Sequence, residues 1–448
     1  MGQELRKKVP RGSHADWKPA PDRPAPITLL QQQDKTRLQF LLPIKYGRMV
    51  ASPFAFLRGA AVVMAADLAA TPVTGLHVVL CGDAHLANFG IFGTPERNVV
   101  FDINDFDETY PGPWEWDLKR LAASAAVAGR ENGFDDKMCK KLVAVTAKAY
   151  REAMRQASSM SILDVWYFHV NAASVVDLFA KYARANAKQA ARTVRRAQMQ
   201  TAGHTLDKLT HIVDGSRQII NSPPLVVRFS ELLTDQQRAA ARDQGDVEKV
   251  WQDYLASLPE ARRILLRRYK ITDAALRVGG VGSVGTRCAI AVLQGNRPED
   301  ALILQQKEVE ASALEAYLPK HTFASPAERV VFGQHLIQVT SDIFLGWNTM
   351  GGKSYYWRQL KDMKGSFDVS AFDPQGFAAY LAVCAICLAR AHARSGDAVV
   401  ISSYLGSGPV FDDAISEFAL AYADQTKRDH QALVDAVNAG KILAETGT

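Results

Sequence analysis

One stretch of the chain, residues 76–109, constrains the fold most. It reads LHVVLCGDAHLANFGIFGTPERNVVFDINDFDET and sets polar residues among apolar ones. The runs VVL and VVF predict two short buried strands, which leaves the polar residues at strand ends and in the connecting loop, where functional sites usually lie. Such a set can hold a divalent cation through oxygen ligands while another carboxylate orients a nucleophile. The polar residues concerned are Asp83, His85, Asn88, Asp102, Asp105 and Asp107.

The composition indicates a globular protein with a large core. Of the 448 residues, 48% are hydrophobic and 22% are charged, which predicts two lobes or domains. The net charge of +6 and the pI of about 8.9 are mildly basic. The basic residues are scattered, except in LRKKVPR near the start and in RTVRRAQ at 192–198. This charge weakly favours an anionic ligand, and no nucleic-acid partner is expected.

The cysteines and the hydropathy predict a cytoplasmic protein. Five cysteines, an odd number, lie inside apolar segments, which indicates a reducing compartment. Cys384 and Cys387 have no second pair at metal spacing, so we expect them to pack in a buried helix. No apolar run approaches the ~20 residues that span a bilayer, and the N-terminus lacks the apolar region of a signal peptide. No membrane partner is expected.

Changes in sequence texture divide the chain into five segments. The first is rich in Pro, Lys and Arg, and the fourth alternates β-branched residues around the turn QGNRPED. Helical and strand-forming segments together predict an α+β fold. The predicted segments are an extended leader over 1–35, a helical lobe over 36–212 that holds the polar stretch, a connecting segment over 213–275, a small β lobe over 276–365, and C-terminal helices over 366–448 that complete the helical lobe.

A glycine-rich loop stands at the start of the small β lobe. Glycines at this spacing let backbone N–H groups approach a polyphosphate, although a tight turn between two strands has the same pattern. No helix follows the loop and no Gly-Lys-Ser/Thr occurs, so neither the P-loop nor the dinucleotide-binding motif fits. Instead, a hairpin leads to a strand lysine, which is the phosphate-binding arrangement of protein-kinase-like enzymes. The predicted nucleotide-binding residues are Gly280, Gly282, Ser283, Gly285 and Lys307.

The loop GDAHLAN resembles the catalytic loop of aminoglycoside phosphotransferases and related small-molecule kinases, in which an Asp is followed five residues later by a metal-binding Asn. That resemblance implies that Asp83 is catalytic and that Asn88 binds a metal. Asp102 in VVFDIND then takes the position of the second metal ligand, with Asp105 close behind it. His85 is either a structural member of the loop or a base.

The same resemblance extends to two other segments. EWDLKRL resembles the helix whose acid, Asp117 here, braces the catalytic loop from beneath. Lys307 needs an acidic or amide partner on the helix that follows it, for which Glu328 and Gln334 are the candidates.

The whole chain also resembles the bacterial family catalogued as domain of unknown function 2252. The motifs that carry this resemblance are RMVASPFAFLRG, CGDAHLANFG, FDINDFDET, EWDLKRLA, VVFGQHLIQ, DIFLGW and RQLKDMKGS. The family implies no settled substrate.

The order of the motifs is unusual for a kinase-like chain, because the catalytic loop precedes the glycine loop. The helix YLAVCAICLARAHARSGD, which resembles the one leading into the catalytic loop, comes last. These observations predict a two-lobed, protein-kinase-like fold in circularly permuted order. Permutation is tolerated where the original termini lie close together.

The predicted activity is ATP-dependent transfer of phosphate to an unknown acceptor, with ATP and Mg²⁺ as cofactors. A nucleotide-binding pseudokinase, a transferase of AMP on the same fold and a metallophosphoesterase are the alternatives, the last lacking its usual ligand motifs. Four residues near the motifs could serve an anionic or aromatic acceptor, or merely pack: Arg48, Arg58, Trp114 and Trp116.

Overall fold

The computed structural model describes residues 1–232, 246–279, 282, 284–360 and 362–445. Within these residues the helices, α1 to α18, are Gly2–Lys8, Pro26–Asp34, Leu42–Met49, Pro53–Gly59, Ala61–Leu68, Trp114–Glu131, Asp136–Ala157, Ile162–Tyr167, Ala172–Tyr182, Arg184–Met199, Ala202–Leu209, Phe229–Leu232, Asp246–Ala256, Glu260–Leu266, Pro326–Ile337, Pro374–Ser395, Ala398–Leu405 and Val410–Asn438. The strands, β1 to β13, are His77–Leu80, Phe89–Gly93, Val99–Ile103, Tyr110–Pro113, Val170–Asn171, Thr210–Val213, Ser216–Ile219, Val226–Arg228, Lys270–Arg277, Cys288–Gln294, Ala301–Val309, Gly346–Met350 and Lys353–Gln359. Helices combined with antiparallel strands confirm the predicted α+β class.

Helices α6, α7, α16 and α18 form the centre of a helical body. Asp135 caps α7 by accepting a hydrogen bond from the backbone N–H of Met138 at 2.7 Å. The buried positions of α7 recur every three or four residues and face α16 and α18. These positions include Leu142, Val143, Thr146, Ala147, Tyr150 and Met154.

A six-stranded antiparallel sheet has the order β12-β13-β11-β10-β9-β8. The predicted turn at QGNRPED joins β10 to β11, which confirms the hairpin. In the register of the sheet, Lys307 on β11 lies opposite Cys288 on β10 and Tyr356 on β13. The lysine is thereby fixed in the middle of the sheet.

Both faces of this sheet are covered. Tyr254 and Leu255 of α13 pack on one face, and Leu206 of α11 and Ile219 of β7 pack on the other. A strand buried on both sides needs apolar residues at consecutive positions. This explains why β11 begins with the unbroken apolar run ALIL.

Two small sheets enclose the polar stretch. β1 pairs with β4, and β2, β3 and β5 form a three-stranded sheet. The loop 81–88 therefore lies between β1 and β2, and the segment 104–109 lies between β3 and β4. Chain reversal brings both polar segments to the same end of the helical body.

The prediction of an extended leader over 1–35 is wrong. This segment contains α1, a 3₁₀ turn at Arg11–Ala15 and α2. Arg23 holds it on the helical body through Asp67 and Asp429, with a nitrogen–oxygen distance of 2.6 Å to each. The predicted boundary at 276 also shifts, because β8 and most of β9 belong to the sheet although they precede it.

Among the described residues one helix, α16, is long and apolar enough to cross a membrane by length and composition. Of its apolar window, 78% is buried inside the protein, so α16 packs as the core helix of a soluble protein does. Cys384 and Cys387 lie on it, both free and buried, which confirms their predicted packing role.

We predict that Gly333→Ala, on α15, destabilises the protein by about 1–3 kcal/mol, although alanine normally favours a helix. A Cβ at Gly333 would lie 2.3 Å from Oγ1 of the buried Thr109. Urea unfolding measures the change. The matched control is Gly203→Ala on α11, where the nearest atom to a Cβ is 3.8 Å away. Equal stabilities of the two variants would contradict the tight packing of α15 on the polar stretch.

Candidate active site

A cavity of about 440 Å³ lies between the six-stranded sheet and the helical body. Its volume is in the range of small-ligand sites, roughly 300–1,000 Å³. Most of the residues singled out from the sequence meet there, although they come from distant parts of the chain. Its lining includes Asp83, His85, Asn88, Asp105, Asp107, Gly282 and Lys307.

The loop after β1 is held from below by Asp117 on α6. The two oxygens of this carboxylate accept hydrogen bonds from the backbone N–H groups of Cys81 at 2.8 Å and Gly82 at 3.0 Å. The ring of His392, at the end of α16, contacts the same carboxylate at 3.2 Å. The predicted brace by Asp117 is confirmed.

Gly82 is required where it stands. Its φ is +83°, a conformation that favours glycine, and a Cβ would lie 2.0 Å from the backbone oxygen of Glu108. The loop can therefore turn sharply and pack on the segment 104–109, so that Asp83 comes next to the acids of that segment.

The Asp83 carboxylate is oriented by Arg120, also on α6. Oδ1 accepts from Nε at 2.8 Å and lies 2.7 Å from Nη2. Oδ2 accepts no hydrogen bond from the described residues, and His85 Nε2 is 3.6 Å away. One oxygen of Asp83 is thus fixed, and the other is available to a ligand in the cavity.

His85 is buried, and its Nδ1 accepts a hydrogen bond from the backbone N–H of Ala87 at 3.2 Å. Burial, followed by the charges of Arg120 and Arg58, holds the pKa of His85 well below its usual value. A ring with a lowered pKa accepts a proton poorly, which favours the structural role over the role of a base.

Asn88 connects the two polar segments. Its Nδ2 donates to the backbone oxygen of Asp83 at 2.7 Å, and its own backbone oxygen accepts from the N–H of Asn104 at 2.8 Å. Asn88 and Asp105 both line the cavity. Burial, and next the charge of Asp107, raise the pKa of the Asp105 carboxyl.

Asp102, predicted as a metal ligand, is placed differently. It lies inside β3 rather than after it, is 1% exposed and does not line the cavity. Its oxygens lie 2.6 and 2.8 Å from Nη2 of Arg390, and one also accepts from the N–H of Val339 at 2.7 Å. The metal prediction for Asp102 is therefore wrong, because its carboxylate neutralises a buried arginine.

Lys307 projects from β11 towards Asp107 and forms an ion pair with it. Tyr356 on β13 donates to the other oxygen of Asp107 at 2.9 Å. Burial alone would lower the pKa of Lys307, but the charges of Asp107, Tyr356 and Asp105 together outweigh burial and raise it. For Asp107 burial would raise the pKa, and Lys307 brings it below the usual value.

The expected partners of Lys307 on the next helix are therefore wrong. Glu328 caps the N-terminus of α15, where its carboxylate accepts from the N–H of Ala324, and it does not line the cavity. Gln334 donates to Gln338 at 2.8 Å. Neither side chain takes the predicted place beside the lysine.

The glycine-rich loop contacts the N-terminal part of the chain. Of its predicted residues, Gly280 and Ser283 lie outside the described ones, Gly282 lines the cavity, and Gly285 has a φ of +93°. Arg37 Nη1 donates to the backbone oxygen of Gly282 at 3.0 Å, and the N–H of Leu38 donates to that of Gly285 at 2.7 Å.

The comparison with known families identifies the chain. The family described as "uncharacterized protein conserved in bacteria (DUF2252)" matches residues 37–436. The chain belongs to this family. No curated protein and no solved structure matches the chain significantly.

Three residues of this DUF2252 site have contacts that the sequence does not predict. Asp107 follows Asp105 by two positions, and the pattern DFD was visible without showing which acid meets the lysine. Arg120 follows Asp117 by three positions on α6, so helical spacing could have placed it next to the loop. Arg37 carries no sequence signal, because its partners are backbone oxygens far along the chain.

We predict that Arg390→Met destabilises this DUF2252 protein by about 3–5 kcal/mol, because Asp102 stays buried without a cation. Chemical denaturation checks this, with Arg155→Met, at an exposed position of α7, as the control. The double variant Arg390→Met/Asp102→Leu should recover part of the loss. A double variant no more stable than Arg390→Met would contradict the charge-pair explanation.

Proposed function

We propose that this DUF2252 protein is an ATP-dependent phosphotransferase with a protein-kinase-like fold in circularly permuted order. The observation that carries the proposal is the meeting of Lys307, Gly282, Asp83, Asn88 and Asp105 in one cavity. Lys307 and its partner Asp107 are 200 residues apart in the chain.

The sheet supports the nucleotide part of the proposal. β9, the glycine loop, β10 and β11 follow one another as paired antiparallel strands, and Lys307 lies on the third of them. Protein-kinase-like enzymes use a glycine loop to cover the phosphates of ATP and a lysine on the third strand to bind them. In the same way, Lys307 would bind the α- and β-phosphates of ATP, which would compete with the Asp107 carboxylate for its ammonium group.

The end of α16 supports the permutation. Ser395, its last residue, accepts a hydrogen bond through Oγ from the N–H of Val79 on β1 at 3.0 Å. The helix that would precede the catalytic loop in an ordinary kinase-like chain thus ends beside the strand that enters the loop. In this chain the helix does not lead directly into the strand, because α16 is Pro374–Ser395 and β1 is His77–Leu80, as a permuted order requires.

Asn88 and Asp105 are the residues that would hold Mg²⁺. No group of three His, Cys, Asp or Glu side chains that could hold a metal occurs among the described residues. Mg²⁺ keeps several waters and is commonly bound by one or two carboxylates together with substrate phosphates. The half-buried Asp105 carboxyl fits this role. Burial and the charge of Asp107 both raise its pKa, and a bound cation would offset both effects. When bound, the ion would neutralise charge on the phosphate oxygens.

Asp83 is the residue proposed to orient the acceptor hydroxyl and to accept its proton. Arg120 fixes one of its oxygens, and the other is available. The Asn88 side chain is hydrogen-bonded to the backbone oxygen of Asp83. This contact holds Asp83 close to the proposed metal position, so the acceptor and the phosphate can be aligned.

Two further functions remain as alternatives to test. A pseudokinase would bind nucleotide without transfer, and an AMP transferase would use the same cavity with the nucleotide reversed. The metallophosphoesterase is disfavoured, because the sequence lacks the further metal-ligand motifs that such enzymes need. A cytoplasmic location goes with an ATP-dependent enzyme whose five cysteines are free and buried. The acceptor remains unknown, and neither nucleic acid nor a membrane is expected as a partner.

We predict that the protein binds Mg·ATP and that Lys307→Met weakens this binding about tenfold or more, since a buried cation on the phosphates is lost. Calorimetric titration measures the affinity, and thermal unfolding verifies that the variant is folded. Lys270→Met, at an exposed position of β9, is the control. Absence of magnesium-dependent nucleotide binding to the wild type would remove the proposal.

We predict that the protein transfers label from γ-labelled ATP to a component of a metabolite extract. Asp83→Asn should lower the rate of this transfer on the order of 10²-fold or more, while ATP binding is retained. Asp177→Asn, at an exposed position of α9, is the control. Parallel incubation with α-labelled ATP separates the alternatives. Transfer from the α position indicates an AMP transferase, and binding with transfer from neither position indicates a pseudokinase.

A further inference from the structure

Arg58, near the end of α4, differs from the other arginines beside Asp83 and the glycine loop. Arg120 is bound to Asp83, Arg37 to the backbone oxygen of Gly282, and Arg48 to that of Gly279 at 2.6 Å. Arg58 makes no hydrogen bond and no ion pair with the described residues, and its buried Nε has no partner. A half-buried guanidinium without an acceptor is costly, so a ligand that supplies one is favoured.

Arg58 lies near both the residue proposed to orient the acceptor, Asp83, and the glycine loop proposed to cover the phosphates. Its side chain lines the cavity together with Asp83 and His85, and its backbone oxygen lies 3.5 Å from the place of a Cβ at Gly282. Burial lowers the pKa of Arg58, and the nearby charge of Asp83 acts in the opposite direction. Arg58 therefore lies between the acceptor-orienting carboxylate and the glycine loop.

α4 is well fixed for such a role. Ser52 caps it by accepting from the N–H of Ala55 at 3.1 Å, and Arg120 donates through Nη2 to the backbone oxygen of Leu57 at 2.6 Å. The same arginine that holds Asp83 thus holds the residue before Arg58. One residue, Arg120, therefore connects the Asp83 carboxylate to the backbone at the base of the Arg58 side chain.

Three other cations near Asp83 already have partners among the described residues. Lys307 is bound to Asp107 and Arg120 to Asp83, and Arg358 of the cavity lining donates through Nε to Gln305 at 3.0 Å. Yet phosphoryl transfer places negative charge on the three outer oxygens of the transferred group, and an arginine in cis can stabilise that charge. Trp114 and Trp116 are buried, with 0% and 4% exposure.

We propose that Arg58 is a catalytic residue that binds the transferred phosphoryl group, as an arginine finger supplied by the same chain. This rests on the proposed phosphotransferase function. In the step, the acceptor oxygen forms a bond to the γ-phosphorus as the bond from that phosphorus to the β,γ-bridging oxygen breaks. ADP leaves with the bonding electron pair, and the proton of the acceptor goes to Asp83. Arg58 keeps its own protons and donates N–H groups to the non-bridging oxygens.

The test compares Arg58→Gln and Arg58→Lys with the wild type and with Arg155→Gln, an exposed arginine of α7, as the control. Titration calorimetry gives the affinity for Mg·ADP alone and with aluminium fluoride, which imitates the planar phosphoryl group in transfer. Single-turnover loss of the γ-phosphate, to water or to an extract, gives the rate. Thermal unfolding shows whether each variant is folded, and Arg58→Lys retains the charge if Arg58→Gln is unstable.

We expect both Arg58 variants to keep the affinity for Mg·ADP within about threefold. The tightening by aluminium fluoride should be lost, and the single-turnover rate should fall about 10³-fold. Tightening and turnover equal to those of the wild type would overturn the role of Arg58 while the phosphotransferase proposal stands. A loss of Mg·ADP affinity as large as the loss of turnover would also overturn it, since Arg58 would then bind the nucleotide in its ground state. A wild-type protein that binds neither nucleotide removes both proposals.

Discussion

The ion pair between Lys307 and Asp107 is the contact on which the arrangement of the site depends. It joins the middle of the six-stranded sheet to the segment that follows β3, and Tyr356 completes it from the neighbouring strand. Such a buried pair contributes little net stability, but removal of one partner leaves an uncompensated charge that costs about 3–5 kcal/mol. Its effect is therefore geometric: the sheet can sit on the helical body in one position, and the cavity takes its shape from that position.

Helix α6 supplies the complementary order on the other side of the cavity. Asp117 holds the backbone of Cys81 and Gly82, Arg120 holds the Asp83 carboxylate, and the hydroxyl of Ser124 accepts from the N–H of Leu86 at 3.1 Å. These three residues recur at intervals of three and four, so they lie along one face of the helix. One helix thus satisfies successive groups of a loop whose own regular structure is limited to the 3₁₀ turn Leu86–Asn88.

The sequence predicted those features that depend on local spacing. The interval between Asp83 and Asn88, the glycine-loop hairpin with its strand lysine, and the brace by Asp117 all follow from patterns within a few residues, and the structure has each in place. The errors concern partners that are far apart in the chain. Asp102 was assigned to a metal because Arg390, its partner, is 288 residues away. The first 35 residues appeared extended from their prolines, although Pro26 begins α2 and Arg23 meets acids that the local pattern cannot show.

The contact of Val284 with the N-terminal part of the chain affects how a ligand enters and leaves the cavity. Val284 is buried against Leu41 and Ile44, and the flanking backbone of the glycine loop is bound by Arg37 and Leu38. To swing outward, the loop must withdraw this side chain into water, which costs about 1.5–3 kcal/mol, and must break those hydrogen bonds as well. The glycine loop is thus held in place by residues near the start of the chain. The rates at which a ligand enters and leaves the cavity should therefore depend on how tightly the first fifty residues pack on the rest of the protein.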